Sequence, residues 1–452
     1  MVDVARPVQP VHRAGAALAG RRLIGAVLWL GLAAAVLPWW LNTPAGSISG
    51  TSDVLIAAGR VTGLVGGYVL LLQLLLMSRL GWLERRFGAA EMLAWHREMG
   101  HYLVLAVVAH IVFITLGYAW LDRVSVPREF WTVLTTFEDL VSATVAAGLL
   151  IGIGVLGLRR IRQALPYELW YYTHLTAYLV LLWAYGHQFA TGMDMLGGLG
   201  RAVWIGLYAA VLAALAWGRV VVPARLNLRH RLRVASVEAE GPDMFSVYIH
   251  GRRLTEMEAR AGQYFRWRFL TPRGWWQAHP FSLSAAPNGQ WLRLTIKAVG
   301  SHTSSLRQLR PGVRVLAEGP SGVFTAARRT RPKALLIAGG SGIAPIRALL
   351  EELPRGAIVI YRAGSRDELI FERELEWIGH ERDTMIYYVL GSRDDPWPRK
   401  VFSPRGLREL VPDVATRDVY LCGPSGLVRS ARRVLRRVGV RRRQIHVDPF
   451  EF

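Results

Sequence analysis

Long apolar segments dominate the first half of the chain, and they constrain its fold more than any other feature of the sequence. Six of them approach the ~20 residues that a membrane-spanning helix needs, with short charged stretches between them. The whole chain of 452 residues is 52% hydrophobic and 19% charged. We therefore expect a multi-pass protein of the cell membrane, whose main partner is the lipid bilayer. The six segments are 23–40, 54–77, 99–120, 139–158, 171–189 and 202–222.

The charge between these segments predicts their orientation. Arginines cluster in the N-terminal segment and in the second and fourth loops, whereas the first loop, 41–53, has no Lys or Arg. Because cytoplasmic loops carry the excess of basic residues, both termini should be cytoplasmic. The net charge of +22 comes from 55 basic residues, of which three are lysines. This bias is typical of arginine-favouring codon usage, and we expect no nucleic-acid partner.

The sequence pattern changes after Pro223. Short alternating segments between Gly and Pro turns predict a small antiparallel β-barrel over 226–328. Strands then alternate with helices over 329–452, which predicts a parallel α/β domain. An N-terminal cytoplasmic segment, 1–20, and a membrane domain, 21–225, precede them. The single cysteine, Cys422, excludes an intramolecular disulfide, a cysteine-based zinc site and a four-cysteine iron–sulfur cluster.

Four histidines in or just before two of the apolar segments are candidate metal ligands. His110 lies on the third segment and His96 three residues before its start, and His174 and His187 lie on the fifth. Ionisable residues inside a membrane are costly and usually functional. Since both segments run in the same direction, His96 and His174 (the inner pair) match in depth, as do His110 and His187 (the outer pair). Two stacked bis-histidine haem sites would use all four.

The spacing on the fifth segment is less regular than on the third. The step from His174 to His187 turns about 140° away from one face of an ideal helix, so two ligands there require local tightening, a tilt or flexible rotamers. Histidines that serve helix packing or lie at the interface are the alternative interpretation. Arg60 lies inside the second segment and needs an anionic partner, such as a propionate of the outer haem. Snorkelling to the interface is the alternative for Arg60.

The predicted barrel carries residues suited to a flavin. Phe281 can lie on an isoalloxazine face, and the Ser282 hydroxyl can reach a ring nitrogen. A later turn, 297–304, offers backbone donors and hydroxyls to a pyrophosphate. Each motif alone is a common kind of turn. The flavin-binding candidates are Tyr264, His279, Pro280, Phe281, Ser282, Lys297, Gly300, Thr303 and Ser304.

A nucleotide site is predicted where two strands of the α/β domain end. An apolar strand runs into a glycine-rich turn, and glycines let the backbone approach a pyrophosphate at a helix N-terminus. A second motif, Cys422-Gly423-Pro424, follows a later strand and would place Cys422 against the nicotinamide. A plain strand–helix turn and a buried structural thiol are the alternatives. The residues of the first motif are Gly339, Gly340, Gly342 and Pro345.

Arginines near two further strands bear on the choice of nucleotide. Arg362 and Arg366 follow one strand, and Ser392-Arg393 follows the next. Arginine beside a hydroxyl suits a ribose 2′-phosphate, which favours NADPH over NADH. Ordinary surface arginines are the alternative. The terminal aromatic residue, Phe452, is placed to cover the flavin face where the nicotinamide must enter.

Four features occur together in this chain: the paired helical histidines, His-Pro-Phe-Ser, Gly-Ser-Gly-Ile-Ala-Pro, and Cys-Gly-Pro before a terminal aromatic residue. In this combination the sequence resembles the ferric reductase / NADPH oxidase superfamily. The resemblance covers residues 20–452 and implies a six-helix transmembrane bundle followed by a ferredoxin–NADP reductase-like module. It also implies FAD, two b-type haems on the inner and outer pairs, and NADPH or NADH. Arg60 aligns with an arginine near the outer haem of the oxidases, whereas Ile114 replaces a further histidine of the animal oxidases.

The resemblance implies a transmembrane oxidoreductase. Electrons would pass from cytoplasmic NAD(P)H through FAD and both haems to an extracytoplasmic acceptor, either a ferric chelate or dioxygen. Ser282, Cys422, Phe452 and Arg60 are the predicted catalytic residues. Two other functions remain open: an electron-donating module for a periplasmic redox partner, and a membrane-anchored flavin reductase without haem.

Overall fold

The computed structural model describes residues 14–44, 46–165, 167–272 and 274–449. Within these residues the chain forms two compact units. The first unit, here the helical unit, holds residues 14–80 and 90–219; the second, the soluble unit, holds residues 81–89 and 220–449. The division near residue 220 lies close to the predicted domain boundary at 225.

The apolar segments form helices. Eleven α-helices precede the first strand in the described part of the chain, and a π-helical turn, Trp217–Val221, links the last two. The helices are α1 (Ala14–Leu41), α2 (Thr51–Leu76), α3 (Gly81–Phe87), α4 (Ala89–Asp122), α5 (Val126–Thr136), α6 (Leu140–Leu156), α7 (Arg159–Ala164), α8 (Tyr167–Leu175), α9 (Ala177–Ala190), α10 (Gly198–Ala216) and α11 (Val222–His230).

Three of these helical stretches are long and apolar enough to cross a membrane: α2, α4 and the continuous helix Gly198–His230. A fourth is added if α5 and α6, which meet at 117°, count as one broken span. A shorter apolar helix, Gly25–Leu41, forms part of α1. The chain is thus a membrane protein by the length and composition of its described helices, and the count of six spans stays a prediction.

The fifth predicted segment, 171–189, is not one continuous helix. It divides into α8 and α9 at Thr176, where the backbone N–H of Thr176 bonds to the carbonyl of Thr173, and that of Leu179 to the carbonyl of Thr176. The Thr176 hydroxyl also donates to the Thr173 carbonyl, at 2.7 Å. Bonds between residues three apart tighten the turn, because a 3₁₀ step rotates more per residue than an α step. This tightening rotates the chain in the direction that the histidine spacing requires, but two such bonds supply only part of the ~140°.

Close packing between α2 and α4 depends on glycine. An added Cβ at Gly59 would lie 2.6 Å from Ile114 Cγ1, and one at Gly66 would meet Ala106 at 3.6 Å. Small residues at regular spacing let two membrane helices approach each other. On another side of α2, Trp204 of α10 is fully buried and its Nε1 donates to the Ala35 carbonyl at 3.2 Å.

The first part of the soluble unit is the predicted antiparallel barrel. Two three-stranded sheets, in the orders β1-β2-β5 and β4-β3-β6, enclose a core that includes Phe245, Phe265, Trp267 and Leu294. A β-bridge between Leu283 and Leu294 connects the sheets. The strands are β1 (Arg233–Ala239), β2 (Met244–His250), β3 (Tyr264–Phe269), β4 (His279–Ser282), β5 (Leu292–Lys297) and β6 (Val315–Ser321), with α12 (Ser301–Ser305) between the last two.

A five-stranded parallel sheet follows, in the order β11-β10-β7-β8-β9, with apolar clusters on both faces. The chain first adds β8 and β9 on one side of β7 and then returns to add β10 on the other. The carboxyl ends of β7 and β10 therefore form a topological switch point, where α/β sheets bind ligands. The elements are β7 (Ala334–Gly339), α13 (Ile343–Glu352), β8 (Ile358–Arg362), α14 (Glu372–Glu381), β9 (Met385–Val389), α15 (Pro396–Val401), α16 (Pro404–Leu410), β10 (Asp418–Gly423), α17 (Ser425–Arg437) and β11 (Ile445–Pro449).

The barrel and the α/β domain share an ion pair in which the arginine is buried and the glutamate side chain is 35% exposed. Arg293 on β5 is 2% exposed, and its two terminal nitrogens donate to the carboxylate oxygens of Glu374 on α14, at 2.7 and 3.0 Å. Its Nε donates to the Ser284 hydroxyl at 3.1 Å. The carboxylate and the hydrogen bonds together compensate the buried guanidinium, which fixes α14 against the barrel.

Candidate functional site

The four candidate histidines meet in the two pairs that the sequence predicts. The ring centroids of His96 and His174 lie 5.9 Å apart, and those of His110 and His187 lie 6.3 Å apart. Both pairs use α4 on one side, with α8 supplying the inner partner and α9 the outer. The two levels are separated by 14 residues of α4, about 21 Å along its axis.

Hydrogen bonds hold both rings of the outer pair. His110 Nδ1 lies 2.8 Å from the Gly59 carbonyl, which can only accept, so Nδ1 carries the proton. His187 Nδ1 lies 2.8 Å from the Thr191 hydroxyl, which can donate to it or accept from it and also bonds to the His187 carbonyl at 3.0 Å. Nε2 of the neutral His110 ring therefore keeps a free lone pair. Metal-ligating histidines are commonly oriented in this way by a bond from the other ring nitrogen.

The inner pair is oriented differently. His96 Nδ1 is buried and has no hydrogen-bond partner in the described part of the chain. Trp170 stacks on His174, with 5.2 Å between ring centroids and 9° between the planes. Stacking restricts the His174 ring, and the orphaned nitrogen of His96 marks a polar atom that the protein alone does not satisfy.

The donor set fits an iron porphyrin better than a bare ion. No group of three or more His, Cys, Asp or Glu side chains suited to a metal occurs among the described residues. Two imidazoles are too few for an isolated zinc-like site, whereas a porphyrin brings four nitrogens of its own. Two Nε2 atoms bound at about 2.0–2.1 Å on opposite sides of one metal would place the ring centroids about 6 Å apart. Both observed separations agree with that distance.

Arg60 has a protein partner. Its Nε donates to Asp194 Oδ2 at 3.0 Å, and its Nη2 bonds to Oδ1 of the same carboxylate. The side chains are 19% and 5% exposed. Asp194 was not among the predicted site residues. The ion pair lies one residue from Gly59, whose carbonyl holds His110, so it supports the chain beside the outer pair.

In the barrel, the flavin candidates surround one strand pair. Tyr264 of β3 lies opposite Ser282 of β4, and Phe265 lies opposite Phe281. His279 and Phe281 stack with ring centroids 5.9 Å apart, and Pro280 is the residue between them in the sequence of β4. This pairing brings the predicted ring-stacking and hydroxyl groups to neighbouring positions on one sheet.

The pyrophosphate candidates lie beyond the end of β5. Lys297 is the last residue of that strand, and Gly300 directly precedes α12, which contains Thr303 and Ser304. The Thr303 hydroxyl accepts from the backbone N–H groups of Val299 and Gly300, at 3.1 Å each. The hydroxyl therefore shapes the turn.

The two nucleotide motifs contact each other at the switch point. A Cβ added at Gly342 would lie 2.3 Å from the Cys422 carbonyl oxygen, and one at Gly423 would lie 3.0 Å from the Gly339 nitrogen. Only glycine permits this approach of β7 to β10. Gly340 has φ +54, and Pro345 lies in the first turn of α13. Pro424 directly precedes α17.

Cys422 and Asp448 connect this point to the barrel. Cys422 is 1% exposed, its sulfur lies 3.7 Å from the Asp448 carbonyl, and burial raises the pKa of its thiol. The Ser282 hydroxyl donates to Asp448 Oδ2 at 3.3 Å. Burial raises the pKa of Asp448 to about 7, with the Ser282 hydrogen bond opposing it. Asp448 was missed at the sequence level, and Phe452 lies outside the described residues.

The predicted 2′-phosphate residues already have partners. Arg362 donates to the Val389 carbonyl at 3.2 Å and also to the carbonyls of Ala363 and Gly391. Arg366 pairs with Glu372 at 3.1 Å. The Ser392 hydroxyl donates to Asp395 at 3.0 Å, and the neighbouring Arg393 is exposed. Arg362 thus fastens the carboxyl ends of β8 and β9, while Arg366 and Arg393 remain accessible to solvent.

Comparison with known families agrees with this organisation. Residues 62–185 match the ferric reductase like transmembrane component, residues 229–325 an FAD-binding domain, and residues 336–433 an oxidoreductase NAD-binding domain. The chain has the architecture of the ferric reductase / NADPH oxidase superfamily. The predicted resemblance is confirmed, and this ferric reductase-like chain is an NAD(P)H-dependent oxidoreductase with a transmembrane domain and FAD and NAD(P)H-binding domains.

Individual relatives of this ferric reductase-like chain cover only part of it. Ferredoxin–NADP reductase B of Sorangium cellulosum is 28% identical over 188 residues, 38% of this chain and 77% of that reductase. A flavohemoprotein of Vibrio cholerae is 29% identical over 210 residues, which are 43% of this chain and 52% of that protein. The chain therefore spans about half the length of that relative.

Among solved structures, the flavohem-like FAD/NAD binding domain of nitric oxide dioxygenase from Vibrio cholerae is similar to this ferric reductase-like chain. It is 23% identical and covers 49% of this chain and 98% of that one, with a TM-score of 0.41.

Proposed function

We propose that this protein passes electrons from cytoplasmic NAD(P)H, through FAD and two b-type haems, to an acceptor outside the membrane. The observation that carries the proposal is the pairing of His96 with His174 and of His110 with His187, at two levels of the same helix. Two such levels, about 21 Å apart along α4, suit electron transfer across a ~30 Å hydrocarbon core. The six-span topology with both termini inside is part of this proposal.

In the helical unit, His96, His174, His110 and His187 would each ligate iron through Nε2. Gly59 and Thr191 would hold the outer imidazoles by their Nδ1 protons. The Arg60 guanidinium, neutralised by Asp194, would fix the backbone beside the outer site and leave Nη1 for a propionate.

The soluble unit would bind both the flavin and the nucleotide. When bound, FAD takes two electrons from NAD(P)H as hydride and releases them singly, and haem irons carry them one at a time. Phe281 would lie against the flavin ring and Phe452 would shield its other face, while the turn at Gly300 and Thr303 would bind the pyrophosphate. Gly339, Gly342 and Gly423 would admit the nucleotide phosphates, and Cys422 would border the nicotinamide.

Ser282 and Asp448 would hold or release a proton near the face of the flavin that meets the nicotinamide. Since the pKa of Asp448 lies at about 7, its carboxyl can hold a proton or release it near neutral pH. The Ser282 hydroxyl, 3.3 Å away, links that proton to the barrel strand that carries Phe281. NADPH is favoured over NADH by Arg366 and Arg393, which remain exposed beside the ends of β8 and β9.

With two histidines on each haem, the protein would leave the iron no open coordination position, so the final acceptor would be reduced without binding to iron. We therefore expect tolerance for several acceptors, including ferric chelates and dioxygen. Ready binding of strong-field ligands such as cyanide to the resting protein would contradict this part of the proposal.

The test uses the full-length protein reconstituted into liposomes with a ferric chelate trapped inside. NADPH added outside should reduce the trapped chelate, and the protein should contain two haems per chain. His110→Ala should lower the haem content to one and stop the transfer, whereas His101→Ala, a change at an exposed histidine of the same helix, should do neither. A folded, flavin-loaded protein without porphyrin absorbance would refute the proposal.

A further inference from the structure

Four basic residues line a cavity of about 240 Å³ in the soluble unit: Arg231, Arg233, His250 and Arg252, with Gly251. Arg231 directly follows α11, and Arg233 begins β1 opposite His250, the last residue of β2. The backbone N–H of Arg252 donates to the His230 carbonyl at 2.6 Å, which returns the chain to the end of the helix. The fold thus gathers residues from two places in the sequence at one point.

The positive charge of this pocket is not compensated by the protein. Among the described residues, no carboxylate forms an ion pair with any of its three arginines, although the neighbouring Arg229 pairs with Glu256. Arg233 donates to the Gly312 carbonyl at 2.8 Å, which holds its side chain in place without neutralising it. Like charges held close together repel, and an anion bound between them would relieve that repulsion.

The lining selects the kind of anion. Guanidinium groups match the oxygens of a phosphate group, which they bind through paired hydrogen bonds. Apart from the small imidazole of His250, the lining has no aromatic or large apolar side chain on which a base or ring could stack. A compact phosphate group therefore suits the pocket better than a nucleotide.

The position in the chain identifies the source of that phosphate. The helix Gly198–His230 is one of the three able to cross the membrane, and Arg231 is the next residue. From the end of the apolar segment at Val222, Arg231 lies about 13 Å along the helix axis. The headgroup layer is roughly 5–7 Å deep on each side. Helix tilt and the length of the arginine side chains cover the difference.

We propose that Arg231, Arg233, His250 and Arg252 form a binding site for the phosphate of an anionic phospholipid, at the junction between the last membrane helix and the barrel. The bound headgroup would fasten the start of β1 to the membrane surface. This inference needs only the membrane character of the chain, and it holds or fails independently of the haems.

The experiment titrates the full-length, flavin-loaded protein in detergent with a short-chain phosphatidylglycerol, and follows binding by calorimetry. Short-chain phosphatidylcholine and inorganic phosphate are the two comparison ligands. The expected result is binding of phosphatidylglycerol at least tenfold tighter than either, lowered at least tenfold by Arg231→Gln/Arg252→Gln. Both of these arginines are exposed, and retained flavin shows that the variant is folded.

Arg433→Gln/Arg436→Gln is the matched control, since it removes the same charge from an exposed face of α17. It should leave the affinity for phosphatidylglycerol unchanged. Equal losses in both double variants would mean unspecific attraction and overturn the site. Inorganic phosphate that binds as tightly as phosphatidylglycerol would overturn the lipid assignment, as would full affinity in Arg231→Gln/Arg252→Gln. His250→Ala, a single exposed change, provides a second test and should also weaken binding.

Discussion

Replacing Gly63 by alanine should disturb the outer pair selectively. Gly63 lies on α2, and a Cβ at this position would lie 2.7 Å from His110 Nδ1, whereas ordinary contact begins at 3.4 Å. The ring must therefore move by about 0.7 Å, yet it is held by the 2.8 Å bond between Nδ1 and the Gly59 carbonyl. Losing that bond costs about 0.5–1.5 kcal/mol, and loss of such a supporting bond typically lowers metal affinity 10–100-fold.

The assay is the ratio of haem to protein, measured by pyridine haemochrome, together with a redox titration that separates the two haems. Gly63→Ala should lose haem from the outer site and leave the inner one unchanged. Gly148→Ala on α6 is the control, because nothing lies within 4 Å of a Cβ there and the gain in helix propensity is the same. Two haems with unaltered potentials in Gly63→Ala would refute the reasoning, and equal losses in both variants would indicate general destabilisation.

Three further predictions concern charged groups. Native Asp448 binds its proton more tightly than an ordinary aspartate, whose pKa is 3.8, so the stability of the fold should decrease by at most ~4 kcal/mol as pH rises from about 4 to 7. Asp448→Asn should flatten this pH profile, measured by thermal unfolding followed through flavin fluorescence. An unchanged profile would contradict the prediction. Asp194→Asn should destabilise the helical unit by about 3–5 kcal/mol, since it leaves the buried Arg60 charge without its partner. Arg60→Met/Asp194→Leu, which removes both charges, should regain much of this stability, as measured by thermal unfolding in detergent. Glu374→Ala should destabilise the soluble unit by a similar amount, because it leaves the buried Arg293 without its carboxylate. Glu409→Ala, which removes the partner of the exposed Lys400 and Arg405, should cost under about 1 kcal/mol.

The parts of the fold that follow from local pattern could be predicted from the sequence. The β7 strand, its glycine turn and α13 were predicted because an apolar run, three glycines and a proline stand in order along the chain. The alternation near 245–249 and 291–296 likewise identified barrel strands. The histidine spacing indicated a departure from an ideal helix in the fifth segment, but the position of the division was not predictable, since Thr176 is compatible with a continuous helix and the tightened turn depends on local hydrogen bonds.

The missed site residues are acids that act over long distances in sequence. Asp194 lies 134 residues from Arg60, and no spacing rule connects them. The only signal in the sequence was that Asp194 is the single acidic residue of the loop after the fifth apolar segment. Asp448 lies 166 residues from Ser282. Its position depends on β11, which pairs with β10 and was not predicted from the sequence.

The two histidine levels achieve orientation by different physical means. At the outer level, two directed hydrogen bonds, between His110 and Gly59 and between His187 and Thr191, fix the orientation of each ring. At the inner level, stacking by Trp170 restricts the plane of His174, but stacking does not select a tautomer. The outer level should therefore respond sharply to small steric changes in α2, because directed bonds weaken steeply with angle. The inner level should tolerate comparable changes, since ring stacking varies slowly with small displacements.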